Sequence, residues 1–356
     1  MNIPIASAKN SESLIAGLKV GPDPAVVVFF SSPAQPLADV GNALQASFPG
    51  AAVLGCTTAG EIVSGCMQSG SMVAMALPHE TVSGAAVAVV EDLKNPAAVS
   101  AAWKSLCERM GAPLDLASHV GLILVDGLSG AEEAIIEQLG DLTDIPFVGG
   151  SAGDDLAFRA TLVSANGRAY GHAAVLALLR APNGYQIIKT QSFRALGKTL
   201  TATSVDESTR TVRQFNGLPA ARAYAEALGI DASGVAARFM RNPLGLMVGD
   251  EPFVRSPQRV LEDGSIVFYC QIREDMELDL LESTDIIADT RKALSGEPRR
   301  ALLVFNCILR TLDLQQQGRC EAYGALFAGT PSVGFSTYGK AYMGHINQTA
   351  TMLAFR

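Results

Sequence analysis

The sequence predicts an α/β protein whose mixed sheets are built from three related βαβ-like units, two in an N-terminal domain and one in a C-terminal domain. A short motif of glycine and hydroxyl residues occurs three times along the chain. Each copy follows an apolar run and a helix-like segment. Roughly 30 residues separate the end of each apolar run from the last glycine of its motif, which is the span of a βαβ unit.

The three motif copies share small or hydroxyl residues at their third and fourth positions and glycine at the sixth. They are Gly55–Glu61 (GCTTAGE), Val148–Asp154 (VGGSAGD) and Gly334–Lys340 (GFSTYGK). Glycine tolerates positive φ and lets the backbone approach a ligand or a neighbouring strand. Consecutive exposed amides can form a concavity that receives anions. The repetition therefore indicates either a common binding site or three equivalent tight turns of a duplicated fold.

Composition and charge narrow the class of protein. Of the 356 residues, 48% are hydrophobic and 17% are charged, so we expect an ordered chain of two domains. The net charge of -8 and the lack of a Lys/Arg stripe argue against nucleic acid as a partner. No apolar run approaches the ~18 residues of a membrane span. We expect no secretory signal at the N-terminus, and scattered cysteines without a CxxC pair favour the cytoplasm.

The N-terminal domain is predicted over residues 25–196, after a lead-in at 1–24. Its first apolar run, 25–30, is a strand, and apolar residues at Leu37, Val40, Leu44 and Phe48 then predict a helix. Strands are expected at 71–77 and 85–90, and a helix at 96–110. The second unit begins with the run 120–125. Ser129 and Glu132 resemble a capping box that opens a helix through Leu139.

The C-terminal domain is predicted over residues 197–356. Alternating residues predict a hairpin at 200–205 and 209–215, followed by an Ala-rich helix closed by Gly229. A second strand pair is expected at 254–260 and 265–271. Helices are expected at 285–294 and 312–327, on either side of the third core strand, 301–305. The chain ends in a strand.

These features together resemble a FIST protein, with an N-terminal FIST domain and its C-terminal domain covering roughly residues 25–355. The resemblance lies in Gly55–Glu61, Gly149–Asp155, the Arg241-Asn242-Pro243 loop, and Gly334–Gly339 with His345–Thr349. It implies an intracellular sensory domain for a small ligand in signal transduction. One branch of stand-alone FIST proteins comprises nitric-oxide-sensing haem proteins that work with histidine kinases or cyclic-di-GMP enzymes, so the resemblance implies haem b and such a partner. Lys340 departs from the family pattern, which commonly has an acid there, and a basic side chain favours an anionic ligand.

Haem would need an apolar pocket and an axial ligand. His345 is the first candidate for that ligand, and so for the metal ligand, because it follows a glycine and Asn347 shares its strand face. His172, which also follows a glycine, is the second candidate. The alternative for both is a hydrogen-bonded histidine at the start of a strand.

The rival prediction is a sensor of a polar, amino-acid-like ligand, in which Arg241 clamps a carboxylate. A homo-oligomer is compatible with either prediction. We do not expect an enzyme, because no GxSxG, P-loop or HExxH is present; the enzymatic alternative uses Glu61, Asp154 and Asp155 as acid/base groups. The predicted ligand-binding residues are Thr57, Thr58, Gly60, Glu61, Gly150, Ser151, Gly153, Asp154, Arg241, Asn242, Ser336, Tyr338 and Asn347.

Overall fold

A computed structural model describes residues 3–111, 113–341 and 347–356 of the chain. The described residues form two compact units. The first contains residues 3–190, 290–341 and 350–356, and the second contains residues 191–289 and 347–349. The second unit is therefore an insertion in the sequence of the first.

The first repeat of the first unit runs from residue 5 to residue 78. Its central strand is a continuous apolar run that is buried on both faces, as is typical of a strand with a parallel neighbour. The elements are β1 (Ile5–Ala8), α1 (Ser11–Leu18), β2 (Pro24–Ser31), α2 (Leu37–Ser47), β3 (Ala52–Thr57), β4 (Glu61–Val63), β5 (Cys66–Gln68) and β6 (Met72–Pro78).

The second repeat has the same order of elements. Its first helix has Asn95 at the N-cap, Pro96 in the first turn and Gly111 in the left-handed conformation at its end. The elements are β7 (Gly84–Val90), α3 (Pro96–Met110), β8 (His119–Val125), α4 (Glu132–Leu142), β9 (Phe147–Ser151), β10 (Val163–Ala165), β11 (Arg168–Tyr170) and β12 (Ala174–Arg180).

The third repeat begins with β13 (Tyr185–Gln191), after which the chain enters the second unit. There an antiparallel sheet packs on α5 around its own apolar core. The elements are β14 (Phe193–Asp206), β15 (Thr211–Phe215), β16 (Leu218–Pro219), α5 (Ala220–Leu228), β17 (Leu244–Val248), β18 (Glu251–Arg255), β19 (Pro257–Val260), β20 (Ile266–Phe268) and β21 (Glu277–Ser283).

The chain then completes the third repeat. Its central strand is again buried along its whole length. The elements are α6 (Ile286–Ala293), β22 (Ala301–Cys307), α7 (Ile308–Gln316), α8 (Cys320–Gly324), β23 (Ser332–Thr337), β24 (Lys340–Ala341) and β25 (Thr349–Phe355).

Each repeat contributes the same four strands to one sheet. Strands β2 and β3, β8 and β9, and β22 and β23 are parallel pairs, and the last strand of each repeat pairs antiparallel with its central strand. The strand that follows each motif leaves its own repeat: β4 pairs with β23, β10 with β3, and β24 with β9. The described sheets of the first unit are therefore joined in a cycle, with each repeat completing the sheet of another.

These pairings confirm the predicted α/β class with mixed sheets and the three strand–helix–strand units. The third unit, predicted within the C-terminal domain, lies in the same compact unit as the first two. The capping box at Ser129 is wrong, because α4 has Ala131 at its N-cap and the Ser129 hydroxyl donates to the Asp126 carbonyl oxygen at 2.6 Å. The single helix over 312–327 is also wrong. Gly318, with φ 66°, separates α7 from α8.

Candidate functional site

The three motif copies meet one another through their backbones. The amide of Ser151 donates to Gly339 O at 2.8 Å and that of Ser336 to Gly60 O at 2.8 Å, whereas the equivalent amide of Thr57 donates to Leu162 O at 2.9 Å, beyond the end of the second copy. Two residues further along each motif, the amides of Ala59, Gly153 and Tyr338 donate to Ser336 O, Thr57 O and Ser151 O respectively. The copies thus form a closed hydrogen-bonded ring, which we call the motif ring.

The structural equivalence of the motifs is set by their first glycine rather than by the sixth position. A Cβ on Gly55, Gly149 or Gly334 would lie 2.2, 1.8 or 2.0 Å from the carbonyl oxygen opposite it on the parallel strand. Gly149 is the second residue of the second copy, so that copy is offset by one from the alignment on Gly60, Gly153 and Gly339. The sequence alignment on the sixth position was therefore wrong for the second copy, because the steric constraint acts at the strand and not at the turn.

Several predicted ligand hydroxyls point into the protein. Thr58 Oγ1 donates to Glu61 Oε1 at 2.5 Å, and Ser151 Oγ donates to Glu132 Oε1 at 2.6 Å. Ser336 Oγ lies 2.7 Å from Thr311 Oγ1 in a buried network. These side chains stabilise the motif ring.

The remaining predicted residues of the motifs also have structural partners. Glu61 is buried and accepts hydrogen bonds from Ser71 N at 3.1 Å and Ser71 Oγ at 2.7 Å. Desolvation raises the pKa of Glu61 although these hydrogen bonds oppose it. A Cβ on Gly150 or Gly153 would lie 2.5 Å from Thr337 Oγ1 or 2.7 Å from Ala59 N, and Gly60 has φ 115°.

Asp154 orders the loop that follows the second motif copy. Its Oδ1 accepts from Tyr338 Oη at 2.5 Å and Phe158 N at 2.9 Å, and its Oδ2 accepts from the amides of Arg159 and Ala160 at 2.6 and 3.0 Å. Desolvation would raise the pKa of Asp154, but these hydrogen bonds outweigh it and lower the pKa.

The loop that Asp154 orders has an unusual backbone. Asp155, Leu156 and Phe158 have φ values of 52°, 66° and 51°, in a region that residues other than glycine rarely adopt. Tyr338 Oη accepts from Leu156 N at 2.8 Å, and the Tyr338 ring stacks on Phe158 with centroids 5.0 Å apart. Such conformations persist only where surrounding contacts impose them, and they concentrate at functional sites.

A cleft of about 530 Å³ lies beside this loop, at the carboxyl ends of β2 and β3 and the N-terminus of α2. Ligands commonly bind at this edge of an α/β sheet. Thr57, Asp154, Asp155, Arg159 and Gln35 supply its polar lining. The rest of the lining is apolar and consists of Pro33, Ala34, Pro36, Leu37, Ala157, Ala160 and Leu162.

Two opposite charges line the cleft. Asp155 Oδ2 accepts from Ser32 Oγ at 3.0 Å, and partial desolvation together with the nearby Asp154 raises the pKa of Asp155, although the Ser32 hydrogen bond opposes this. Arg159 has its backbone amide fixed on Asp154. At the edge of the cleft, α2 begins at Leu37 after Pro36, whose side chain makes no cap. The helix dipole therefore adds a partial positive charge there.

The second repeat closes the equivalent position with its own side chains. Asp126 follows β8 as Ser32 follows β2. Its Oδ1 accepts from Thr161 Oγ1 at 2.5 Å and its Oδ2 from His172 N at 2.6 Å. At the end of β8, groups of the protein therefore occupy the position that is open in the first repeat.

The predicted residues of the C-terminal loop belong to the second unit. Arg241 is exposed, whereas Asn242 is buried and donates from Nδ2 to Leu281 O at 3.0 Å. Asn347 is buried and its Oδ1 accepts from Ser256 N at 3.1 Å. Within their unit, Asn242 and Asn347 hold loops in place.

Of the two predicted haem ligands, the structure describes only His172. His345 lies outside the described residues. His172 is exposed, has φ 51° and lies on the turn before β12. In the described ranges, none of His79, His119 and His172 lines the cleft at Asp155 or either of two other surface clefts, and no three His, Cys, Asp or Glu side chains form a metal-binding group. Haem therefore stays a prediction.

Fold and cleft define an α/β protein with three strand–helix–strand repeats around a ring of glycine-rich motifs and a ligand-sized cleft at one strand end. The FIST N domain model matches residues 25–218, and the FIST C domain model matches residues 220–342. The chain belongs to the FIST family, whose domains are associated with small-ligand sensing in signal transduction. No curated protein matches it. No helix in the described part of the chain is long and apolar enough to cross a membrane.

The sequence did not single out two residues that the structure places at the cleft: Ser32, which contacts Asp155, and Arg159, which lines the cleft. Glu132 was predicted to cap a helix, but it accepts a hydrogen bond from Ser151. Arg159 follows the Asp154-Asp155 pair by only a few residues. A basic residue so close to two acids is the feature of the sequence that could have identified Arg159 as a site residue.

Proposed function

We propose that this FIST protein senses a small zwitterionic, amino-acid-like ligand that binds in the cleft at Asp155. The observation that supports the proposal most directly is that a carboxylate and a guanidinium, Asp155 and Arg159, line one cleft. A ligand with an ammonium and a carboxylate group a few ångströms apart complements both charges.

The position of each group gives the ligand an orientation. Arg159 and the N-terminus of α2 attract the ligand carboxylate, because a helix N-terminus carries unpaired amides and a partial positive charge. Asp155 receives the ammonium, with the Thr57 hydroxyl nearby in the lining. Asp154 contributes indirectly, since both of its oxygens are engaged in ordering the loop.

The size and lining of the cleft also favour a small ligand. A volume of about 530 Å³ lies in the lower half of the usual range for ligand sites. Apolar residues from the start of α2 and from the loop would contact the ligand side chain. Binding at Asp155 would act on a strained loop that Asp154 and Tyr338 hold in place, and a change in that loop is a means of signalling.

We further propose that the ligand signal passes to a separate protein, and a histidine kinase or a cyclic-di-GMP enzyme remains the predicted partner. We also propose that the protein acts in the cytoplasm and does not catalyse a reaction. Haem and nitric oxide sensing depend on His345 and stay a prediction. An absorption spectrum of protein purified from haem-supplied cells tests them: a Soret band that His345→Ala shifts or removes would support that branch.

The zwitterion proposal is tested by thermal shift with each standard L-amino acid, followed by titration calorimetry of those that raise the melting temperature. We expect at least one to bind, and Asp155→Asn and Arg159→Gln each to lower its affinity at least ~10-fold, as expected for a lost charge-assisted contact. Asp141→Asn, on the exposed side of α4, is the matched control and should leave the affinity unchanged. Absence of binding by all of them, or full affinity in both cleft variants, would refute the proposal.

A further inference from the structure

The third repeat contains a fully buried lysine at the position of the family departure. Lys340 begins β24 and has 0% relative exposure; its Nζ makes no hydrogen bond of ordinary geometry among the described residues, and the polar group within its reach is the Cys307 side chain. Removing an ammonium group from water is costly unless a counter-charge offsets the loss of hydration. The side chain therefore indicates a missing partner.

Among the described residues, a second buried cation and a helix N-terminus lie near Lys340. Arg310, 1% exposed, lies on the first turn of α7, and Cys307 is the N-cap of that helix without a side-chain cap. Burial lowers the pKa of Lys340 most, Cys307 opposes this, and the charge of Arg310 lowers the pKa further. Both groups are thus near enough to Lys340 to act on its charge.

The guanidinium of Arg310 is held rigidly. Its Nε donates to Asn306 Oδ1 at 3.1 Å, its Nη2 donates to Thr290 Oγ1 at 2.9 Å, and the group lies 5.7 Å from the centre of the Tyr323 ring. Asn306 Oδ1 also accepts from Tyr323 Oη at 3.0 Å. A preorganised cation, an unpartnered ammonium and the N-terminus of a nine-residue helix therefore converge.

We propose that this cluster binds one small inorganic anion, of the size of chloride, nitrate or phosphate, between Lys340 and the N-terminus of α7. Full burial of Lys340 and Arg310 excludes a ligand that must keep a large part in solvent. The anion neutralises Lys340 and caps α7, so it stabilises the third repeat. This site is separate from the cleft at Asp155 and does not depend on what that cleft binds.

The test is a thermal unfolding series in a gluconate buffer, into which chloride, nitrate or phosphate is titrated at constant ionic strength. Gluconate is too large for an enclosed site. We expect at least one small anion to raise the melting temperature by a few degrees in a saturable manner, as binding to the folded state requires. A response equal to that of added gluconate would overturn the proposal, and would favour a thiolate of Cys307 as the counter-charge.

The matched variants are Lys340→Met, which removes the buried charge at similar length, and Lys104→Met, which removes an exposed one. We expect Lys340→Met to lose the saturable response, while in gluconate it melts no lower than the wild type because no unpaired charge remains. Lys104→Met should respond like the wild type. A saturable response retained by Lys340→Met would place the anion elsewhere and overturn the proposal.

A measurement on the unmodified protein serves if Lys340→Met does not fold. Crystals soaked in bromide should give an anomalous peak in contact with Lys340 Nζ. An ordered Lys340 with no such peak would contradict the site.

Discussion

The ends of strands β2 and β22 occupy equivalent places in the first and third repeats, yet they carry opposite charges. After β2, Ser32 contacts the carboxylate of Asp155 at the edge of an open cleft. At the last residue of β22, Cys307 lies near the buried cations Lys340 and Arg310. The backbone is the same at both ends, since Ser31 pairs with Thr57 as Asn306 pairs with Ser336. The motif ring therefore sets the position of each strand end. The local side chains set the charge at that strand end and determine whether solvent reaches it.

The second repeat shows a third use of the same place. There Asp126 is saturated by Thr161 and by the amide of His172, so the chain supplies its own ligand. The three repeats thus offer three cases on one scaffold: the proposed open site at Asp155, the proposed enclosed site at Lys340, and a strand end that the chain fills itself.

The largest expected effect comes from breaking the motif ring. In Gly149→Ala, the new Cβ would lie 1.8 Å from Ile123 O, so the parallel pair β8–β9 must separate. We expect a loss of about 4 kcal/mol or more in the free energy of unfolding, or failure to fold. Urea denaturation measures this loss.

Gly140→Ala is the matched control. It lies inside α4 with no atom within 4 Å of the added Cβ, and should raise the stability by up to about 1 kcal/mol. Equal stability of the two variants would contradict the steric role of the first motif glycine.

The next largest effect is expected for Asp154→Asn. The variant loses the charge that accepts four hydrogen bonds, which should cost about 2–4 kcal/mol at pH 7. Because the folded-state pKa is lowered, this contribution is present above the unfolded pKa of about 3.9 and is lost as the pH falls through the folded value. Unfolding curves at several pH values should therefore show the variant and the wild type converging at acid pH. A gap that is independent of pH would mean that the charge does not order the loop.

A smaller effect is expected for Tyr338→Phe. The ring can still stack on Phe158, but the hydroxyl no longer links Asp154 with the amide of Leu156. We expect a loss of about 1–2 kcal/mol and faster hydrogen exchange at Leu156. Unchanged exchange there would show that the hydroxyl does not hold the strained segment.

The smallest effect on stability, within about 0.5 kcal/mol, is expected for Asp155→Asn, because the side chain is solvent-exposed. Its effect should appear in binding. Since the pKa of Asp155 is raised, affinity for a cationic group should fall as the pH is lowered through that pKa, at a higher pH than an ordinary aspartate would give. Calorimetry with Asp155→Asn should show no such decline. The same pH dependence in the variant would assign it to another group.

Much of the first unit follows from the sequence, because its strands are long apolar runs and its helices have regular apolar spacing. The helix at 96–110 agrees with α3, and the run at 120–125 agrees with β8. The exchange of strands between repeats does not follow, since β4, β10 and β24 are too short to show a pattern. The insertion of the second unit within the third repeat depends on long-range packing.

Part of the predicted set of ligand-binding residues lies at the cleft. Thr57 and Asp154 do line the cleft, because the end of a buried strand before a glycine is a place where side chains reach a sheet edge. Ser151 and Ser336 occupy the same motif position as Thr57, but in their repeats the hydroxyls are engaged by Glu132 and Thr311. Thr58 follows the end of its strand and donates to Glu61. Ser32 could not be chosen, since only the folded chain brings it to Asp155.

The proposed function rests on a charge match in the cleft, and a calorimetric cycle tests this match most directly. The amino acid found by the screen and its carboxamide, which lacks the carboxylate, are each titrated into the wild type and into Arg159→Gln. If Arg159 binds the carboxylate, the wild type should prefer the amino acid strongly, and the variant should bind both compounds with nearly equal affinity. If removing the carboxylate weakens binding by the same factor in both proteins, Arg159 does not contact that group and the proposed orientation is wrong.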